Sequence, residues 1–378
     1  MIIKNANVFR EDCTFEHGNI YMKDHLIESP SQNPLDNDDT IDATGMYAIP
    51  GFTDLHFHGC VGYDFCDGTH EAIEKIAEYE AQHGITTIIP ASMTFPEEKL
   101  AQIFESASTY LSEKGATLCG INMEGPYINC TKKGAQNGEY IHKPDVAMYQ
   151  RLQKKSNDLI KLVAIAPEED GSMDFIETLK DEVVLSVAHT TADYETTMEA
   201  FRRGASHVTH LFNAMPAFTH RAPGVVGAAF DFKKAYVELI TDGIHITPTV
   251  IRATFQMFGD DRIILVSDSM MATGLEDGDY TLGGQTVKVV GHRATLADGT
   301  LAGSATNLMD CFKVAVKEMG IPLESGIKCA AVNPAKEMGI YHQYGSITPG
   351  KVANIVLLDK DLNIKYVILR GKVIVENK

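Results

Sequence analysis

Eight short apolar runs, bounded by Gly, Pro or charged residues and alternating with stretches of helical spacing, constrain the fold of this chain more than any other feature. They are FTDLHFH (52–58), TTIIPAS (86–92), TLCGINMEG (117–125), LIKLVAIAP (159–167), VVLSVAHT (183–190), HVTHLFN (207–213), AYVELITDG (235–243) and RIILVSDS (262–269). Runs of this length and β-branched content read as strands. Their near-continuous apolarity is what a parallel sheet covered on both faces requires. Between them EAIEKIAEYEAQHG, EEKLAQIFESASTYLSEKG, ADYETTMEAFRRG and TPTVIRATFQMFG show helical spacing, three of them reaching a glycine stop after a basic or polar last turn. Eight β/α units predict an α/β fold, a closed (β/α)8 TIM-type barrel over residues 51–340.

Both ends of the chain read differently. Residues 1–50 and 341–378 hold short strands and turns without long helices, and are expected to pair into one small β-sandwich domain. The stretch 276–299, Gly-rich turns around a TVKVV strand, reads as a β-hairpin excursion from the barrel. With 378 residues and 44% hydrophobic content the chain can bury a large core. A net charge of -18 speaks against nucleic acid or an anionic membrane as a partner, and an anionic small molecule would need a local cationic pocket. No apolar stretch approaches the roughly 20 residues of a membrane span. MIIKNANVF runs into a strand pattern without the parts of a secretion signal, so a cytoplasmic protein is expected. The seven cysteines form no CxxC pair and fit reduced thiols, with Cys60 read as a small packing residue.

A barrel of this kind gathers its functional side chains at the C-terminal ends of the strands, and imidazoles and carboxylates concentrate there. His56 and His58 lie two apart, so a strand would aim both the same way, toward one metal ion. Glu124, His189 and His210 can supply the three N or O ligands that a catalytic metal takes while keeping one position open for water. In HVTHLFN, strand parity sends His207 and His210 to opposite faces; His210, nearer the C-terminal end, is taken as the ligand and His207 as structural. Asp268 shares the parity of Val266 and should face inward, with Ser267 toward the helices. It is a candidate general base, able to take the proton of a metal-bound water attacking a carbonyl and hand it to the leaving amine. Any one such residue is more often a hydrogen-bonded structural group. Collected at one barrel mouth, they have little reason to occur without a cation. His17, His25, His70, His83, His292 and His342 read as surface positions.

At this point the chain resembles the N-acetylglucosamine-6-phosphate deacetylases of the amidohydrolase superfamily. The likeness is carried by PGFTDLHFHG, INMEGPYIN with KKGAQN, AHTTA, THLFNAM followed by HRAPG, TDGIHI, VSDSMMATG, GTLAGS and GSITPGKVANIVLLD, across residues 48–360. It implies Glu124, His189 and His210 as ligands of the catalytic metal and Asp268 as the acid/base. His245 would contact the sugar or the acetamide carbonyl, stabilising the developing oxyanion. Ala135, Asn213, Ala214 and the segment Leu301, Ala302, Gly303 would line a sugar-phosphate pocket. Arg221 would bind the phosphate, reaching across a homodimer interface. Members differ at the histidine pair. This chain keeps His56 and His58, so up to two divalent metals per subunit are expected, zinc foremost, with iron, manganese or cobalt as alternatives.

The implied reaction is hydrolysis of the acetamide of N-acetylglucosamine 6-phosphate to glucosamine 6-phosphate and acetate. The alternatives are the same reaction on N-acetylgalactosamine 6-phosphate, a cyclic-amide hydrolase or aminohydrolase, and a non-catalytic amino-sugar phosphate sensor. Lys161, the only lysine of the fourth run, lies near its start, which disfavours enzymes that bridge two metals with a carboxylated lysine there.

Overall fold

The eight apolar runs become eight strands, each shorter than its run. In the computed structural model, which describes residues 1–30 and 39–377, they are Phe52–Asp54, Ile85–Ile88, Thr117–Leu118 continued by Ile121–Met123, Ile160–Ile165, Val184–Val187, His207–Val208, Tyr236–Ile240 and Ile263–Val266. Neighbours pair in chain order and always in parallel, with an Ala91–Asn122 bridge helping to join the second strand to the third. The circle closes past the strand ends, where the His56 carbonyl accepts from the Asp268 N–H at 2.9 Å and the Ser269 carbonyl from the His58 N–H at 2.7 Å. This is the expected TIM barrel.

Alternate residues along several of the strands and their ends serve two cores. Leu55, Ile89, Leu162, Ile240, Ile264 and Val266 pack together with Met338, whereas Val163, Ile165, Val237, Leu239, Ile263 and Leu265 join the larger cluster that includes the helices. Both faces are therefore apolar, which is why the runs do not alternate. The helices His70–Gln82, Glu97–Thr109, Val146–Lys155, Ser172–Leu179, Tyr194–Arg203, Gly224–Asp231, Pro248–Phe258 and Leu308–Lys317 follow the strands in turn. Asp145 and Asp193 cap two of them by accepting from first-turn N–H groups. The helical pattern read through 97–115 stops at Thr109, with Tyr110 already extended. Gly115 must lie against the Ala77 backbone, where a Cβ would stand 2.3 Å from a carbonyl carbon, so the chain leaves the helix early to enter the third strand.

The two chain ends share one mixed sheet of eight strands. Tyr47–Pro50 pairs in parallel with Ile2–Phe9 and antiparallel with Ile355–Leu358, which joins the N-terminal strands to Ile364–Leu369 and Lys372–Glu376. Of the expected terminal segments, residues 31–38 and 378 lie outside the described residues. The excursion between the last barrel strand and its helix has three antiparallel strands rather than a hairpin's two, Gly278–Leu282, Gln285–Val290 and Arg293–Thr295. Among the described residues no helix is long and apolar enough to cross a membrane.

One buried acid stands apart from the barrel mouth. Glu80, on the first helix, is fully buried, and neither of its carboxyl oxygens has a hydrogen-bond partner among the described residues. Burial first, then the nearby Asp54 carboxyl, pushes Glu80 well above its ordinary 4.5. A raised folded-state pKa contributes stability that is complete below the unfolded value and is lost as pH rises. Stability should therefore fall as pH rises above the ordinary carboxylate range, where the unfolded chain ionises Glu80 before the folded one does. Glu80→Gln removes that slope. Urea unfolding at pH 5 and pH 7.5 should show the variant losing less stability than the parent across the interval; equal slopes would show that Glu80 is ionised in the fold.

Candidate metal and active site

Glu124, His56, His189, His210 and Asp268 sit one or two residues past the C-terminal end of a strand and His58 four past, where parallel strands deliver their last residues to a common opening. Glu124 directly follows Ile121–Met123; His189, His210 and Asp268 stand two residues past Val187, Val208 and Val266. The backbone φ values of His189, His210 and Asp268 are 42°, 29° and 49°. Left-handed backbone at non-glycine residues costs of order 1–3 kcal/mol each and persists only where the surroundings enforce it. After Glu124 the chain needs glycine: Gly125 has φ 88°, and a Cβ there would stand 2.1 Å from Thr94 Oγ1.

Four imidazoles converge on Glu124. Its Oε1 lies 3.0 Å from His189 Nε2, 3.3 Å from His210 Nε2 and 3.3 Å from His56 Nε2, and its Oε2 lies 3.4 Å from His58 Nε2. Asp268 Oδ1 is 3.3 Å from His58 Nε2 and 3.7 Å from His56 Nε2. Two donor groups result, Glu124 with His189 and His210, and Glu124 with His56 and His58, the donor atoms of each lying within 4.8 Å of one another.

These residues fit a metal. His189 gives its Nδ1–H to the Lys132 carbonyl at 2.9 Å, which leaves the Nε2 lone pair facing Glu124 Oε1. His189 Nε2 is also 3.1 Å from His210 Nε2, so lone pairs crowd together unless a proton or a cation lies among them. His56 Nε2, His58 Nδ1 and His210 Nδ1 are buried without hydrogen-bond partners among the described residues. Burial presses His56 down, but Glu238 and Glu124 lift it well above its ordinary value. Burial likewise raises Glu124, yet the imidazoles, His56 foremost, hold it well below. Shared protons and a bound dication are alternative ways to balance this charge.

The cluster borders a cavity of about 520 Å³. Ala135, Asn213, Ala214, His245, Leu301 and Gly303 line it, whereas Ala302 is buried outside the lining. Arg221 is exposed and outside the cavity of its own chain. His245 gives Nδ1–H to Asp242 Oδ2 at 2.7 Å; burial lowers its pKa, but Asp242 prevails and raises it. Two cations not singled out from the sequence, Lys132 and Lys133, line the cavity. Their signal was the KK of KKGAQN, two positive charges in a chain of net charge -18.

Strand parity served Asp268, whereas the candidate ligand histidines lie past the strands to which parity applies. Ser267 points away from the mouth, donating to Asp54, as expected. His56 and His58 do converge, but the strand ends at Asp54, so a turn and not a pleat brings them together. The strand stops at Val208, and beyond it the His210 ring turns to Glu124 Oε1 at 3.3 Å, whereas the His207 ring meets the buried Glu238 Oε1 at 3.0 Å and faces Glu337 at 3.4 Å. The structure brings His210, and not His207, into the donor cluster, and His210 meets Glu238 only through its backbone N–H at 2.9 Å. Glu238 and Gln136, whose amide donates to Glu124 Oε2 at 2.8 Å, were missed. Glu238 had a signal, a lone carboxylate inside the apolar strand YVELI; Gln136, in a loop, had none.

Comparison with known proteins places these residues in context. A sequence model of the amidohydrolase family matches residues 47–374. The N-acetylglucosamine-6-phosphate deacetylase of Bacillus subtilis (strain 168) is 34% identical over 383 residues, covering 99% of this chain and 96% of that protein. The N-acetylgalactosamine-6-phosphate deacetylase of Escherichia coli O157:H7 is 32% identical over 326 residues, covering 85% of this chain and 86% of that protein. The crystal structure of N-acetylglucosamine-6-phosphate deacetylase from Pasteurella multocida superposes with a TM-score of 0.93 at 30% identity, covering 100% of this chain and 99% of the other.

Proposed function

Since the chain belongs to the amidohydrolase family, we propose that it hydrolyses the acetamide of N-acetylglucosamine 6-phosphate to glucosamine 6-phosphate and acetate. The observation that carries this reading is the meeting of Glu124 Oε1 with His189 and His210 at 3.0 and 3.3 Å, beside Asp268, at a cavity large enough for a hexose phosphate. Glu124, His189 and His210 would hold one divalent metal, and His56 with His58 and Glu124 a second. Zinc is the first candidate, and iron, manganese and cobalt suit the same donors. Bound there, such an ion supplies Lewis acidity toward water and toward the acetamide carbonyl oxygen.

The side chains do the rest. Asp268 accepts a proton from the attacking water as the new C–O bond forms at the acetamide carbon. It then delivers that proton to the amine nitrogen as the C–N bond breaks, releasing acetate. His245, fixed by Asp242, donates to the oxygen that gains charge. Ala135, Asn213, Ala214 and Leu301 to Gly303 shape the sugar-phosphate pocket, with Lys132 and Lys133 adding positive potential. Arg221, exposed on its own chain, suits a phosphate contact made across a homodimer interface.

The galactosamine epimer is the second reading, favoured by the Escherichia coli relative. Acetate release from N-acetylglucosamine 6-phosphate, N-acetylgalactosamine 6-phosphate and free N-acetylglucosamine decides among them. The first should give the highest kcat/KM and the unphosphorylated sugar a value lower by about 10²-fold or more, since a charged contact left unpaired costs several kcal/mol. Arg221→Ala should depress only the phosphorylated substrates. Equal turnover of free and phosphorylated sugars would remove phosphate recognition from the proposal.

A further inference from the structure

We propose that Glu238 is a positioning residue that ties the two metal half-sites together, holding His56 of one and His210 of the other through a single carboxylate oxygen. The proposal rests on the metal-dependent reading above and deepens it. Glu238 lies in the middle of Tyr236–Ile240, a strand otherwise without a charge, and is completely buried. An isolated carboxylate in such a place costs several kcal/mol unless donors satisfy it.

Three donors do so, and their origin is the informative point. Glu238 Oε2 accepts from His56 Nδ1 at 2.7 Å and from the backbone N–H of His210 at 2.9 Å. Glu238 Oε1 accepts from His207 Nε2 at 3.0 Å, and His207 Nδ1 in turn faces Glu337 Oε1 at 3.4 Å. The bond to His56 fixes its tautomer, so that its Nε2 lone pair points at Glu124 and Asp268. The bond to His210 pins a backbone held at φ 29°, a conformation it would not keep unaided. His207, occupying Oε1, keeps the carboxylate from rotating away. One oxygen thus reaches a member of each donor group, His56 with His58 and Glu124, and His210 with His189 and Glu124.

The test is metal uptake, independent of turnover. Chelator-stripped protein is titrated with Zn(II) and, separately, Co(II), with bound metal counted by elemental analysis, affinity measured by competition with a chromophoric chelator, and the Co(II) visible spectrum recorded. Wild type should bind two equivalents. Glu238→Gln keeps the volume but presents one acceptor oxygen in place of two; it should weaken the second equivalent by about 10–100-fold, the usual loss when an outer hydrogen-bond partner of a ligand is removed. Its first equivalent should weaken less, with an altered Co(II) spectrum. Glu238→Ala should lose more at both, and if it does not fold, the Gln variant with a native circular-dichroism spectrum decides alone. A Gln variant that binds two equivalents with parental affinity and spectrum overturns the role of Glu238. Wild type that saturates at one equivalent overturns the coupling, and wild type that binds none overturns the metal reading itself.

Discussion

Asp268→Asn is expected to lower kcat for deacetylation by about 10³-fold or more, near the upper half of the 10²–10⁴ range for general acid–base catalysis, while the protein retains its metal. Asparagine has nearly the same shape and can occupy the same left-handed backbone (φ 49°), since Asn and Asp tolerate that region better than most residues. What it cannot do is accept the proton of the attacking water or return one to the departing amine. Because Asp268 is asked to serve both proton transfers, its loss should appear in kcat and kcat/KM alike, with little change in substrate affinity. Steady-state acetate release combined with elemental analysis separates this from ligand loss. A variant with parental kcat would exclude Asp268 from the chemistry.

How much of this was legible beforehand depended on whether a residue's role follows from its own strand. Buried parallel strands announce themselves by continuous apolarity, so the barrel could be read directly from the eight runs. Glu124 and Asp268 were legible because each continues a strand by only one or two residues, so position along the run still indicates direction. In HVTHLFN, too, position near the end of the run singled out His210 over His207, although period-two alternation ends with the strand at Val208 and so did not reach His210. Gln136 lies 12 residues from Glu124 in a loop, and no periodicity links an amide there to a carboxylate across the mouth. Contacts of this kind are set by tertiary closure. Glu238 lies between these cases: a charge in an apolar strand signals that something must satisfy it, without saying what.

Removing the metal tests the centre most directly, and Glu124 is the residue through which it should be tested. Chelation should abolish activity and divalent metal should restore it, because without Lewis acidity the water stays near pKa 15.7 and Asp268 is far too weak a base to deprotonate it. Glu124→Gln should give the same loss without rescue. The reason is its position: Oε1 alone lies within 3.3 Å of Nε2 atoms of His56, His189 and His210, so replacing the carboxylate removes the one negative charge the two donor groups share. The outcome is also visible in stability. A ligand present at 1,000 times its Kd stabilises the folded state by about 4 kcal/mol, which for a chain of this size should raise Tm by several degrees. Wild type should therefore melt several degrees lower after stripping and recover on metal addition, whereas Glu124→Gln should melt at one temperature with or without metal. A metal-dependent Tm in that variant equal to that of wild type would place the ion elsewhere in the protein, and the imidazole cluster would then have to be explained by shared protons alone.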